Sequence, residues 1–141
     1  MKRLRFGSSL FALAVLLLAG CSQSMAQNMT APPGGAYKKV SSLVALPDFI
    51  PGLGTLYVDP TTLPAGPFLA YDRAGTLVSS IYMIPLKDIE AQKAFNNLNV
   101  AKEKVDHVDL YYNAGHPGVA EPHYHVVLWY VSPDKAAALA K

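Results

Sequence analysis

"DHVDLYYNAGHPGVAEPHYHVVLWY", Asp106–Tyr130, decides how this chain is read, because it holds two strand-like runs and every histidine of the sequence. "VDHVDLYY" and "HYHVVLWYV" are rich in β-branched and aromatic residues, and the connection "NAGHPGVAEP" has the Gly, Pro and Asn of a loop. Side chains in a strand alternate between faces. In the second run His123, His125, Val127 and Trp129 therefore share a face opposite Tyr124, Val126, Leu128 and Tyr130. In the first run His107, Asp109 and Tyr111 share a face opposite Val108, Leu110 and Tyr112.

Paired as a hairpin, the two runs place His107 and Asp109 on the side of the sheet that carries His123 and His125. His116 and Glu121 fall in the connection at its mouth. Cross-strand neighbours lie about 4.5–5.5 Å apart at Cβ, close enough for two or three imidazoles to share one ion. The candidate ligands are His107, His116, His123 and His125, with Asp109 and Glu121 as accessory carboxylates. Imidazole nitrogen and carboxylate oxygen suit zinc, and imidazole also suits copper. A second reading needs no ion: the imidazoles and Asp109 form a hydrogen-bonded polar face over Tyr111 and Trp129. Both stay open at this point.

Working upstream, "TLVSSIYMI" (76–84) follows the tight reversal "DRAG" and the strand "PFLAYD" (67–72), so residues 67–84 form a second hairpin. "GTLYVD" (54–59) reads as a further strand, and "YKKVSSLVAL" as a short helix or strand that Pro47 and Pro51 cut off. "PLKDIEAQKAF" (85–95) opens with Pro and turns Leu86, Ile89 and Phe95 to one side, the pattern of a short amphipathic helix. At the other end "SPDKAAALAK" has Ser132 to cap a helix and Pro133 for its first turn. Residues 37–141 are thus expected to form one α+β domain. Its sheet is mainly antiparallel, a meander either open or curled into a barrel, with one or two short helices.

The first 20 residues have another purpose. Lys2, Arg3 and Arg5 precede the apolar run Leu10–Gly20, which is a secretory signal peptide rather than a bilayer span. It runs into "LAGC", which resembles a bacterial lipobox and whose final residue, Cys21, is the sole cysteine. The thiol of Cys21 is the atom expected to take a diacylglycerol, anchoring the protein to the membrane through its N-terminal lipid. By resemblance to enteric lipoproteins, Ser22 after it implies the outer membrane, periplasmic side, in a Gram-negative envelope. Residues 21–36 have the polar, Pro- and Gly-rich composition of a tether from lipid to domain. Met25 and Met29 in that tether are two scattered methionines rather than a copper clamp.

Three of the twelve basic residues leave with the signal, so nine Lys and Arg then face ten Asp and Glu. No basic run tracks a phosphate backbone, which excludes nucleic acid as the expected partner. With its cysteine acylated, the domain has no disulfide and depends on its core, on self-association or on a bound ion.

The central stretch resembles the hallmark of a family of small exported bacterial proteins of unknown function typified by a Thermus protein. That hallmark runs DHV-x-(L/V)-x-(W/Y)-N-x-x-GH-x-P and then PH(F/Y)-D-x-H. Asp106, His107, Val108, Asn113, Gly115, His116, Pro122, His123 and Tyr124 match it. Where the family carries Asp and then His in the last strand, this chain has His125 and Val127, so one ligand is lost and another gained on the same face. The resemblance implies a β-rich exported domain that self-assembles into a homo-oligomer, and it brings no activity with it. The leading expectation is a lipid-anchored envelope protein whose domain binds a ligand or divalent ion, zinc or copper, through its histidines. The alternative is a structural, self-assembling module without metal. A metal-dependent enzyme with Glu121 or Asp109 as general base comes third, because no nucleophile elbow, phosphate loop or Cys–His pair is present, and no catalytic residue is assigned.

Overall fold

The computed structural model describes residues 29–141; the expected signal peptide, Cys21 and the first part of the expected tether lie outside the described residues. The strands are β1 (Lys38–Lys39), β2 (Thr55–Val58), β3 (Phe68–Tyr71), β4 (Leu77–Pro85), β5 (His107–Asn113) and β6 (His123–Trp129). They form one antiparallel sheet in the order β1-β2-β3-β4-β6-β5. The sheet is open, with β1 and β5 at its edges, rather than closed into a barrel. The fold is therefore α+β and mostly β, as the pattern of short strands and turns predicts.

Both expected hairpins form. Asp72 Oδ1 accepts the N–H groups of Ala74 at 2.9 Å and Thr76 at 2.8 Å, and Gly75 takes φ +79°, which together make the reversal between β3 and β4. All four residues of β3 and nearly all of β4 are buried, because these central strands are covered on both faces. Such strands read as continuous apolar runs rather than as an alternation. On one face Val58, Phe68, Ile81, Met83, Val127 and Trp129 make the main core. It is roofed by the chain between Val40 and Leu53 and by Leu139 after helix α2 (Pro133–Ala138). Leu69, Tyr71, Leu77 and Ala101 make a smaller core on the other face.

Several expectations need adjusting. Helix α1 spans only Leu86–Glu90, not the run to Phe95, because Gln92 turns to φ +55° and breaks it. Ser132 occupies the N-cap of α2 but caps with its carbonyl, which accepts Ala136 N–H at 3.0 Å, and not with its hydroxyl. "YKKVSSLVAL" supplies the two residues of β1 and one 3₁₀ turn, Val40–Ser42, and then an irregular roof. Within the expected tether, Met29 and Ala31 are pinned to the β3–β4 hairpin: Leu77 N–H donates to Met29 O at 2.9 Å and Ala31 N–H to Gly75 O at 2.8 Å. Pro33 is buried. From Met29 onward the chain is part of the domain surface.

Candidate metal centre

β5 and β6 pair in a register that sets His107 opposite Trp129, Asp109 opposite Val127, Tyr111 opposite His125 and Asn113 opposite His123. The expected common face is present, but the hairpin is long. Six residues at about 3.4 Å each separate the two ends, so His107 stands about 20 Å from His123 along the strand direction. In an antiparallel pair the first residue of one strand meets the last of the other. His107 therefore stacks on Trp129, with ring centroids 5.9 Å apart and planes at 17°, and its Nδ1–H donates to Asp106 at 2.9 Å. It is not a member of the cluster.

The structure brings His116, His123 and His125 together, one ring nitrogen of each lying within 4.8 Å of the others. His123 and His125 are two apart on β6, an interior strand bonded to β4 and β5, and both are buried. Their Nε2 atoms are 3.0 Å apart. His116 comes from the connection, where it is held more firmly than a loop residue need be. His116 and Val119 exchange both backbone hydrogen bonds at 2.9 Å around Pro117-Gly118. Gly118 has φ +89°, so the pair makes the Pro-Gly turn that needs a left-handed third residue. Gly115, at φ +129°, lies so close to the returning chain that a Cβ there would sit 2.6 Å from Ala120 O.

The protonation pattern follows from the partners. A carbonyl oxygen only accepts, so His123 Nδ1 carries the proton it donates to Glu121 O at 2.7 Å, and His116 Nδ1 the one it donates to Pro117 O at 3.0 Å. In its neutral form each ring therefore presents a bare Nε2 lone pair to the centre. His125 Nδ1 is 3.0 Å from the Tyr111 hydroxyl, which can donate or accept. Without an ion, His125 Nε2–H donates to His123 Nε2 and Tyr111 donates to His125 Nδ1. With an ion bound, the His125 proton would sit on Nδ1, Tyr111 would accept it, and three lone pairs would converge. Burial, and then the neighbouring His123 and His116 rings, push the His125 imidazole down to about 4, so it stays neutral at ordinary pH. Neutral imidazoles with oriented Nδ1–H groups are what a metal requires. Zn–N bonds of about 2.0–2.1 Å put tetrahedral nitrogens roughly 3.3 Å apart, so the 3.0 Å pair already fits, and His116, within 4.8 Å of the others, would have to close in by up to about 1.5 Å.

The two accessory carboxylates are placed elsewhere. Asp109 accepts Trp129 Nε1–H at 2.8 Å. Glu121 pairs with Lys87 at 2.6 Å on the surface and serves the cluster only through its main-chain oxygen. Tyr111, which orients His125, and the roof between Val40 and Leu53 are the parts that sequence reasoning did not assign to a site. A cavity of about 450 Å³ lies between that roof and the sheet, and His116 and His125 form part of its wall. Gly118 closes one side against Val44, whose side chain is 3.0 Å from where a Cβ would stand.

No protein-family profile matches the chain, and no curated protein does. Among solved structures it is similar to a hypothetical protein, TTHB210, from Thermus thermophilus. The two are 49% identical with a TM-score of 0.61, over 68% of this chain and 88% of the other.

Proposed function

The chain belongs to the family of that Thermus hypothetical protein, and from this premise we propose that its domain binds one divalent metal ion through His116, His123 and His125. The observation that carries the reading is the convergence of three imidazoles whose Nδ1 atoms all have partners pointing away from the centre. Histidines that meet by chance have no reason to share that outward pattern. Zinc is the first choice of ion and copper the second, since both accept an all-imidazole set and neither needs a carboxylate. Three protein ligands leave a fourth position for water or a ligand atom. In this reading Cys21 carries lipid and holds the domain at the membrane surface of the cell envelope.

The test is metal analysis of tag-free protein purified from its own compartment, followed by melting curves with added zinc. About one equivalent of metal is expected. An ion that binds the folded state alone at 100-fold over its Kd contributes about 2.7 kcal/mol, a rise near 10 °C for a domain of this size. His123→Ala and His116→Ala should each abolish the rise. If zinc leaves the wild-type curve unmoved and His123→Ala only lowers it, the metal reading is wrong.

A second reading, a self-assembling module, has one observation in its favour. The edge strand β5 turns Val108, Leu110 and Tyr112 outward, and these are 56%, 65% and 52% exposed. An apolar edge strand of this kind is a surface that a second copy covers. Self-association and ion binding use opposite faces of β5 and are compatible.

A further inference from the structure

We propose that the cavity beside the three histidines takes a medium-chain monocarboxylate, its acyl chain in the cavity and its carboxylate on the ion. The inference rests on the metal reading above and adds the class of ligand. Its first ground is the one-ended polarity of the cavity wall. Tyr111, Asn113, His116 and His125 are the polar side chains that line it, and all four come from β5, β6 or the connection between them. The rest of the wall is apolar, from the roof residues Leu43 and Ile50 to the floor residues Val58, Phe68, Ile81 and Met83. A molecule with polar groups at both ends, such as a sugar or a dicarboxylate, would leave one end buried without a partner, which costs more than the contacts return. A molecule with one polar end does not.

The second ground is charge. Among the described residues no Lys or Arg lines the cavity, so no side chain there neutralises an anion. The divalent ion would do so, because three neutral imidazoles leave its full charge uncompensated and one coordination position open. A carboxylate oxygen binds zinc at about 2.0–2.2 Å, and a singly charged ligand lowers the net charge buried at the site. Size is the third ground. A volume of about 450 Å³ is within the usual range for small-ligand sites. At about 30 Å³ per methylene-sized group and ordinary packing, it holds a chain of about eight to twelve carbons.

Cobalt(II) in place of zinc gives a visible spectrum that reports first the site and then its fourth ligand. Full-length protein loaded with cobalt is titrated with acetate, hexanoate, octanoate, decanoate and hexadecanoate, and apo-protein is titrated with decanoate by calorimetry. The expected result is a spectral change with every acid. Affinity should rise about fourfold per added methylene up to roughly ten carbons and fall for hexadecanoate. Apo-protein should bind decanoate at least a hundredfold more weakly. Leu43→Trp, at a partly exposed wall position, should keep the cobalt spectrum and shift the optimum to shorter chains. Equal affinity for acetate and decanoate overturns the acyl site while leaving the ion in place, and so does equal binding of decanoate to apo-protein. Absence of any cobalt spectrum removes the ion and the proposal together.

Discussion

Acidifying the metal-free protein should destabilise it through His125. In the fold its imidazole is pushed down to about 4, chiefly by burial and then by His123 and His116, against an ordinary value of 6.5. Between those two values the unfolded chain binds a proton at this position that the folded chain refuses. The unfolded state therefore holds more protons, and stability rises with pH and is lost on acidification. From pH 7 to pH 4.5 the loss from this residue is about 2 kcal/mol, since each unit of difference is worth about 1.4 kcal/mol and the protein has by then crossed most of the window. With a urea slope of about 1–3 kcal/mol/M, the midpoint falls by about 1 M more than it would otherwise. The assay is urea unfolding in chelator at both pH values, for wild type and for His125→Gln. The variant cannot titrate there, yet its amide can still hydrogen-bond Tyr111. It should be less stable at pH 7 and lose about 2 kcal/mol less on acidification. Parallel losses in the two proteins would refute the assignment, because the other titrating groups are common to both.

Three further outcomes follow from the geometry. Gly115→Ala forces a Cβ to 2.6 Å from Ala120 O at φ +129°, so chemical unfolding should show a cost of about 2 kcal/mol or more, with a smaller zinc-induced rise in Tm; an unchanged midpoint would contradict the close approach. Cutting the chain after Gly35 removes the bonds that Met29 and Ala31 make to the β3–β4 hairpin and should lower Tm by several degrees, whereas cutting before Met29 should not; equal Tm values would show that the segment contributes nothing. Cys21→Ala should abolish labelling by an alkyne fatty acid and release the protein from the membrane fraction, and undiminished labelling would rule out lipid at that thiol.

The two hairpins were legible in the sequence because alternation and turn residues are local signals. "DRAG" and "NAGHPGVAEP" sit where the chain reverses, and the shared face of His123, His125 and Tyr111 follows from period two alone. The exclusion of His107 was also available there: a hairpin that turns near Pro117-Gly118 must set His107 against the far end of the second strand. What the sequence did not carry was the roof. Val40, Leu43, Val44, Leu46, Ile50 and Leu53 follow no single period, since they line an irregular path over the sheet and not one side of a helix or strand. Gln92 likewise gave no warning that α1 would stop, because the local cap that ends it, with Lys93 N–H on Asp88 O and Gln92 N–H on Ile89 O, has glutamine rather than glycine at its left-handed position. The continuous burial of β3 and β4 shows a related limit, because their coverage on the second face depends on segments as distant as Ala31 and Ala101.

The unequal footing of the three imidazoles separates how tightly an ion is held from how long it stays. His123 and His125 ride on a strand hydrogen-bonded along both sides, so they cannot part without opening the sheet. His116 rides on a four-residue turn closed by two hydrogen bonds, which can open alone. An ion bound as proposed would shed His116 first and linger on the remaining pair, and an incoming chelator would find its vacancy there. The dissociation rate would thus be set in the turn, and changes at Pro117 or Gly118 should speed or slow exchange while leaving the strand pair's geometry intact.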